Sequence, residues 1–412
     1  MLATLVLSAI AAGACRKPAS GSATAPKAGP TAPPPPQRGR EIALLYSSNL
    51  LGAYAPCACT PPQGGLARRA TLIARARAEA DAVLFVDAGD LLAPSPDADA
   101  GKPDDAERRA RLLATAAARG GLTAFTPGER DLALGLPLLR RVAASTGLAI
   151  VSANLYGPGG ERLFEADRLV EAAGVRVGLF GVSAPPSPAD AARWRAAAIE
   201  ARDPVDAARE AVRSLRARGA SVVVALVHVG APAESRRLVA AVAGIDWVVL
   251  GHSGLNLEAP EKVGGARMLE AMSEGKNLGR LDLHLVGGGL AFADRAERGE
   301  IAGILADHRR QLTESVRPLG DTDPAALLEY RDSRRIQLQR AIDRESALLA
   351  RLPEAVSGSW FENRILALDP EIPDDASLAK LVEATQRARP RAGGHRPGGG
   401  HNGLAAGAGG HL

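Results

Sequence analysis

The chain has 412 residues, of which 46% are hydrophobic and only 3% aromatic, so it can build one large domain or two ordinary ones with cores of alanine, leucine and valine. Its 50 basic and 46 acidic residues leave a net charge of +4, which indicates a mixed-charge surface. No series of aromatic residues on which bases could stack is interleaved with the basic residues, so the sequence predicts no nucleic-acid partner.

The first 15 residues form an apolar segment that ends in small residues before Cys15. This segment is too short to span a membrane and is typical of a secretion signal. The stretch Ala12-Gly13-Ala14-Cys15 resembles a bacterial lipobox, in which the cysteine is lipidated and becomes the first residue. We predict cleavage before Cys15 and an exported lipoprotein that is anchored to the membrane in the periplasm or cell envelope. A simple cleaved signal, or an apolar N-terminus without a role, is the alternative.

Residues 16–40 contain many Pro, Ala, Gly and Ser residues and almost nothing to bury. Such a composition predicts a disordered or polyproline tether between an anchor and a folded domain.

From residue 41 to about 298, apolar strand-like runs alternate with amphipathic helical segments, which predicts an α/β domain with helix-covered sheets. Three further strands follow with little helix between them, which favours an antiparallel meander at the end of one sheet. The predicted strands are 41–48, 81–88, 148–153, 175–182, 221–229 and 245–250, then 266–272, 281–286 and 290–294, and the predicted helices include 66–80, 105–119 and 203–218.

Residues 299–390 lack the alternation of apolar runs and helical segments seen before them, and they are predicted to form a helical extension. Residues 300–352 are heavily charged and indicate one or two long exposed helices, whereas residues 353–390 predict irregular structure with a short helix. The Gly/His-rich tail at residues 391–412 predicts disorder.

Several polar residues follow predicted strands, at the edge of a sheet where ligands collect in α/β proteins. Any one of them is most simply a hydrogen-bonded structural residue, but carboxylate and imidazole groups at neighbouring strand ends also make a plausible metal site. These residues are Asn49, Asp90, Glu129, His228 and His252.

The order and context of these residues resemble the calcineurin-like metallophosphoesterases, specifically their bacterial 5′-nucleotidase branch. That family has five sequence blocks: D-x-H, G-D, G-N-H followed by D or E, a lone H, and G-H-x-H. The chain retains the second as Gly89-Asp90, the fourth as His228, and half of the fifth as Gly251-His252-Ser253-Gly254. The resemblance implies a sandwich of two mixed sheets flanked by helices, with a helical C-terminal extension.

The departures from the family pattern fall on one side of its two-metal site. In the first block Asn49 and Leu51 replace Asp and His, and Gly254 replaces the last His. The resemblance therefore implies that one metal position is lost. The other would keep Asp90, Glu129, His228 and His252 as ligands, with Glu129 in place of the family's Asn.

Arg130 stands where the family has the histidine that stabilises the leaving group. Arginine can bind phosphate through two N–H groups, but it cannot act as a general acid near neutral pH. The resemblance therefore implies a catalytic-site residue that supports binding better than turnover, and a surface arginine is the alternative.

Cys57 and Cys59 lie in the loop after the first block. Their surroundings resemble exported family members that are often fused to multihaem cytochrome domains, but the chain has no C-x-x-C-H motif, so we predict no haem. A disulfide, a thiolate metal pair and a redox contact are all compatible with this spacing. We predict the disulfide, because an exported setting favours oxidised cysteines.

Together, these features predict an exported 5′-nucleotidase-like metallophosphoesterase. It would hydrolyse phosphate esters, nucleotides among them, weakly and with a single Zn, Mn or Fe ion, or hold no metal at all. The alternative is a catalytically inactive binding or scaffold lipoprotein of the cell envelope that works beside a cytochrome or other redox partner. A thiol-redox protein that uses Cys57 and Cys59 is a third hypothesis.

Overall fold

The structure, a computed structural model, describes residues 39–94, 102–315 and 325–388. Its strands are β1 (Arg40–Ser47), β2 (Ala82–Asp87), β3 (Leu122–Phe125), β4 (Leu155–Tyr156), β5 (Asp167–Ala172), β6 (Val175–Ser183), β7 (Glu200–Ala201), β8 (Val222–His228), β9 (Trp247–Leu250), β10 (Glu261–Val263), β11 (Ala266–Leu269), β12 (Asn277–Leu285), β13 (Ala293–Asp294) and β14 (Trp360–Ala367). Its helices are α1 (Leu66–Glu79), α2 (Pro103–Arg119), α3 (Glu129–Ala133), α4 (Leu136–Thr146), α5 (Ala191–Ala196), α6 (Pro204–Ala217), α7 (Pro232–Ala241), α8 (Glu297–Ser315), α9 (Ala325–Arg351) and α10 (Ala376–Arg387).

Most of the strands belong to two six-stranded mixed sheets. The first has the order β13-β14-β12-β1-β2-β3, and the second has the order β10-β11-β9-β8-β6-β5. Neighbours among β1, β2 and β3, and among β6, β8, β9 and β11, are parallel, whereas β12 runs antiparallel to β1. The predicted α/β class with two mixed sheets flanked by helices is confirmed.

Apolar side chains on both faces of the strands explain why the two sheets stack against each other and against helices. In β1, Leu44 faces a core cluster shared with residues of the second sheet, and Leu45 faces a cluster shared with the helices outside the first sheet. In β8, Val224 faces the shared cluster, and Val223 faces the helices outside the second sheet. Because successive side chains point to opposite faces of a strand, both sheets are buried on both sides.

Two strand predictions are wrong in detail. Residues 148–153 form no strand and contribute only single bridges at Ile150 and Val151. The predicted final meander does not form either, because β11 joins the second sheet beside β9 whereas β12 joins the first sheet beside β1. The hydrophobic pattern marks these runs as buried, but it shows neither whether a run pairs along its whole length nor which sheet receives it.

The C-terminal helical part is present as α8, α9 and α10, but residues 299–390 are not purely helical. The strand β14 pairs antiparallel with β12 over eight residues and so completes the first sheet from within the segment predicted to be irregular. The first sheet therefore includes residues beyond 298, where the sequence analysis placed the end of the α/β domain.

The predicted signal peptide with Cys15, most of the predicted tether and the Gly/His-rich tail lie outside the described residues. Arg40, the last residue of the predicted tether, is already the first residue of β1. Among the helices of the described ranges, none combines the length and apolar character needed to cross a membrane.

Replacing Phe361 of β14 by alanine is expected to destabilise the protein by about 3–5 kcal/mol. Phe361 is fully buried, and its ring packs against that of Trp247 with 4.9 Å between the ring centroids, so truncation leaves a cavity between the two sheets. Chemical denaturation measures the loss. Ile336→Ala on the exposed part of α9 is the control, and an equal effect of the two substitutions would contradict a structural role for β14.

Candidate metal centre

The candidate site lies between the two sheets, at the carboxyl ends of their parallel strands. Asp90 follows β2, and Glu129 begins α3 just after β3, so the first sheet supplies both carboxylates. His228 is the last residue of β8, and His252 follows β9, so the second sheet supplies both imidazoles. The position agrees with the rule that ligands bind beyond the carboxyl ends of parallel strands.

Glu129 brings the two imidazoles together. Its Oε2 atom lies 2.8 Å from Nε2 of His228, and its carboxylate lies 3.3 Å from Nδ1 of His252. One ligand atom from each of the three residues lies within 4.8 Å of the other two. His228 is fully buried, whereas the His252 side chain is 43% exposed, so the group is open to solvent on the His252 side.

The hydrogen bonds of His228 determine its protonation. Nδ1 lies 2.7 Å from the carbonyl oxygen of Ala88, and Nε2 contacts the Glu129 carboxylate. Both partners are acceptors, so both ring nitrogens carry protons. Burial lowers the pKa of His228, but the hydrogen bond to Glu129 and the charge of Asp90 outweigh it and raise the pKa to about 9. If Nε2 gives up its proton, the bond from Nδ1 to Ala88 leaves the Nε2 lone pair aimed at the group.

Glycines make room for this buried imidazole. A Cβ atom at Gly89 or at Gly251 would lie 2.5 Å from Nδ1 of His228. A Cβ atom at Gly128 would lie 2.1 Å from Oδ1 of Asp90. The glycines of the sequence blocks are thus explained by close approach to the candidate ligands.

Asp90 is buried and already has a cationic partner. Its Oδ2 atom lies 3.1 Å from Nε of Arg130, and its Oδ1 atom accepts the main-chain N–H of Arg130 at 3.0 Å. Oδ1 also lies 3.7 Å from Nε2 of His228. Burial raises the pKa of Asp90 to about 6, against the lowering effect of His228. One carboxylate oxygen therefore faces the three-residue group, and the other faces the guanidinium.

Solved structures with a similar architecture include a calcineurin-like phosphoesterase and a 5′-nucleotidase precursor. The calcineurin-like phosphoesterase YfkN from Bacillus subtilis superposes with a TM-score of 0.55 and 18% identity, over 85% of this chain and 97% of that one. A 5′-nucleotidase precursor from Thermus thermophilus superposes with a TM-score of 0.55 and 19% identity, over 84% of this chain and 58% of that one.

The chain has the calcineurin-like phosphoesterase fold.

The sequence relatives are a nucleotide phosphoesterase and a 5′-nucleotidase. The chain is 25% identical over 290 residues to the trifunctional nucleotide phosphoesterase protein YfkN of Bacillus subtilis, covering 61% of this chain and 20% of that protein. It is 25% identical over 260 residues to a 5′-nucleotidase of Vibrio vulnificus, covering 55% of this chain and 46% of that protein. The chain thus spans less than half the length of these curated relatives. No family model matches the chain. The resemblance to the 5′-nucleotidase branch of the metallophosphoesterases is confirmed.

Asn49 does not join the group of donors in this calcineurin-like phosphoesterase fold. Its Oδ1 atom accepts the main-chain N–H of His252 at 2.8 Å, and its Nδ2 atom lies 3.4 Å from Oε1 of Glu270. The structure therefore gives Asn49 a hydrogen-bonding place beside His252, whereas Glu129, His228 and His252 form the group and Asp90 lies at its edge.

Two further buried carboxyl groups, those of Asp131 and Glu270, lie at the site. Asp131 accepts main-chain N–H bonds from Asp90 at 2.7 Å, Leu92 at 2.7 Å and Gly128 at 2.9 Å, so it fixes both loops that carry the candidate carboxylates. Burial and the nearby Asp90 raise the pKa of Asp131 to about 7. Glu270, directly after β11, is the second. The sequence signal for Asp131 is its place as the acidic residue that ends the third block, and the only signal for Glu270 is an acidic residue after an apolar run.

Cys57 and Cys59 are joined by a disulfide in the loop between β1 and α1. The Cys57 sulfur accepts the main-chain N–H of Gln63 at 3.2 Å, and the Cys57 N–H donates to the Gln63 carbonyl at 2.8 Å. The donor group formed within the described residues includes neither sulfur.

We expect metal affinity to rise with pH. A metal ion at Nε2 of His228 must displace the proton there, and the pKa of His228 is about 9, so affinity should increase about tenfold per pH unit from near neutrality up to that pH. Competition titrations with Mn²⁺ at a series of pH values measure the slope. A pH-independent affinity over this range would contradict the imidazolium form of His228.

Proposed function

We propose that the chain is a 5′-nucleotidase-like phosphoesterase that works with one divalent metal ion and hydrolyses phosphate monoesters slowly. The observation that carries this proposal is the one-sided donor set. Glu129, His228 and His252 lie within bonding reach of one ion, whereas the side that the family uses for a second ion has Asn49, Leu51 and Gly254.

The three donors fit a single metal ion chemically. Two imidazoles and one carboxylate are a common set in catalytic zinc sites and leave a further position for water or substrate. The same nitrogen and oxygen donors also suit Mn and Fe. A bound ion would polarise a phosphoryl oxygen and lower the pKa of bound water.

The residues around the group would hold and orient the substrate. His228 is fixed by its bond to Ala88, so its Nε2 atom has one direction only. Arg130 is 31% exposed, and its guanidinium lies beside Asp90 at the edge of the three-residue group. A guanidinium can bind phosphate oxygens through paired N–H groups, so we assign Arg130 to substrate binding.

Slow turnover follows from what is missing. With one ion, only one side of the phosphoryl group is neutralised by metal, and Arg130 cannot protonate the leaving group near neutral pH. Since the loss of one electrostatic contact costs roughly 10²–10³ in rate, the activity should lie several powers of ten below that of a two-metal enzyme.

A second candidate function is a non-catalytic binding or scaffold lipoprotein. The observation in its favour is that the site balances its own charges: Arg130 neutralises Asp90, and protonated His228 lies between Glu129 and a carbonyl oxygen. We propose export and a lipid anchor at Cys15 for either function, and a cytochrome or other redox partner as a further part of the second.

Hydrolysis of p-nitrophenyl phosphate and of nucleoside monophosphates with added Mn²⁺ tests the two functions. The proposal expects slow, metal-dependent turnover that Glu129→Gln abolishes. Binding of phosphate without any turnover would favour the scaffold, and turnover that survives Glu129→Gln would contradict the site.

A further inference from the structure

The side of the site where Asn49, Leu51 and Gly254 replace the family's metal ligands is not empty. Glu270 is fully buried there, and its carboxylate accepts the N–H of Gly254 at 2.6 Å and the hydroxyl of Ser253. Its Oε1 atom also lies 3.4 Å from the Asn49 amide nitrogen. Asn49, Ser253, Gly254 and Glu270 together are called the Glu270 clamp below.

The Glu270 clamp holds the main chain at and after His252. His252 has a φ of 72°, a left-handed conformation that histidine adopts only at a cost in free energy. Its main-chain N–H is held by Oδ1 of Asn49, and the next two residues are held by Glu270. The side chain itself is 43% exposed, and its ring contacts that of His228 edge-on with 5.5 Å between the ring centroids.

We propose that Glu270 is a positioning residue that holds His252 against Glu129 and His228 through the clamp. A buried carboxylate with several donors is rigid, because each of its oxygens is committed to a hydrogen bond. The clamp thereby fixes the loop after β9 without a second metal ion. The inference rests on the proposed function only in treating His252 as a metal ligand.

The clamp also gives a physical reason for an amide at residue 49. A carboxylate there would face the Glu270 carboxylate at the 3.4 Å that separates Nδ2 of Asn49 from Oε1 of Glu270. Two buried like charges at that distance repel, whereas the amide donates. Asn49 and Glu270 therefore work as a pair.

Co²⁺ binding to the full chain tests the positioning role. Glu270→Ala should weaken Co²⁺ affinity about 10–100-fold, as for other residues that orient metal ligands, and should change the visible Co²⁺ absorption as His252 leaves the ion. Glu270→Gln keeps one acceptor oxygen and should give an intermediate loss. The matched control is Glu274→Gln, whose side chain is 55% exposed and pairs with Lys276.

Equal Co²⁺ affinity and absorption in Glu270→Gln, Glu270→Ala and the control would overturn the positioning role. Failure of the unmodified chain to bind Co²⁺ would instead overturn the proposed function, and a metal-free experiment then decides about the clamp. Asn49→Asp should lower the melting temperature of the metal-free chain more when residue 270 is Glu than in the Glu270→Gln background. Equal shifts in the two backgrounds would overturn the clamp.

Discussion

Glu129→Gln is expected to abolish tight metal binding. The free energy of zinc binding in four-ligand structural sites is roughly 10–16 kcal/mol, so the average contribution of each ligand is roughly 3 kcal/mol. That contribution corresponds to about two powers of ten in affinity. Glu129 should exceed this share, because its carboxylate is the group that both His228 and His252 contact. An amide of the same shape has no charge and cannot accept a hydrogen bond through its nitrogen.

Isothermal titration with Zn²⁺ or Mn²⁺ measures the effect, and the melting temperature of the metal-free variant shows whether the fold is intact. Glu165→Gln is the matched control, because the Glu165 side chain is 66% exposed and, among the described ion pairs, pairs only with Arg168 three residues further along the chain. An affinity within a few-fold of the unmodified chain would contradict the placement of the metal at Glu129.

Arg130→Ala is expected to raise metal affinity and to lower the turnover of phosphate esters. The guanidinium neutralises Asp90 at 3.1 Å, so its removal leaves a buried carboxylate uncompensated at the edge of the donor group. Metal affinity should therefore rise, because the ion becomes the main cation available to Asp90. Turnover of phosphate esters should fall by about 10²–10³, because the substrate loses its guanidinium partner.

Arg162→Ala is a matched control for this prediction. Arg162 is 32% exposed, close to the 31% of Arg130, and it pairs with Glu210 at 3.1 Å. Its loss should leave both metal affinity and turnover unchanged. A parallel loss of metal binding and turnover in Arg130→Ala would show that Arg130 supports the fold of the site and is not a substrate contact.

The sequence allowed the central strands to be predicted because they are buried on both faces. Runs such as β8 contain only apolar residues before His228, so their ends, and the polar residues there, are visible in the pattern. The strand β14 was missed because it carries Glu362, Asn363 and Arg364 in its middle. Charged residues in the middle of a run usually indicate a loop, but Arg364 forms an ion pair with Asp282 of the neighbouring strand β12.

Part of the site could be predicted in the same way, and part could not. Strand ends and family resemblance together indicated Asp90, Glu129, His228 and His252. The pairing of Arg130 with Asp90 and the contact between Asn49 and Glu270 join residues 40 and 221 positions apart, respectively. Such contacts depend on how two sheets meet, which local periodicity does not encode.

The most direct test of the one-sided site is the metal content of the purified chain after equilibration with Mn²⁺ or Zn²⁺ and removal of weakly bound ions. The account predicts one ion per chain, and none in Glu129→Gln. Two ions per chain, or one ion retained by Glu129→Gln, would contradict it.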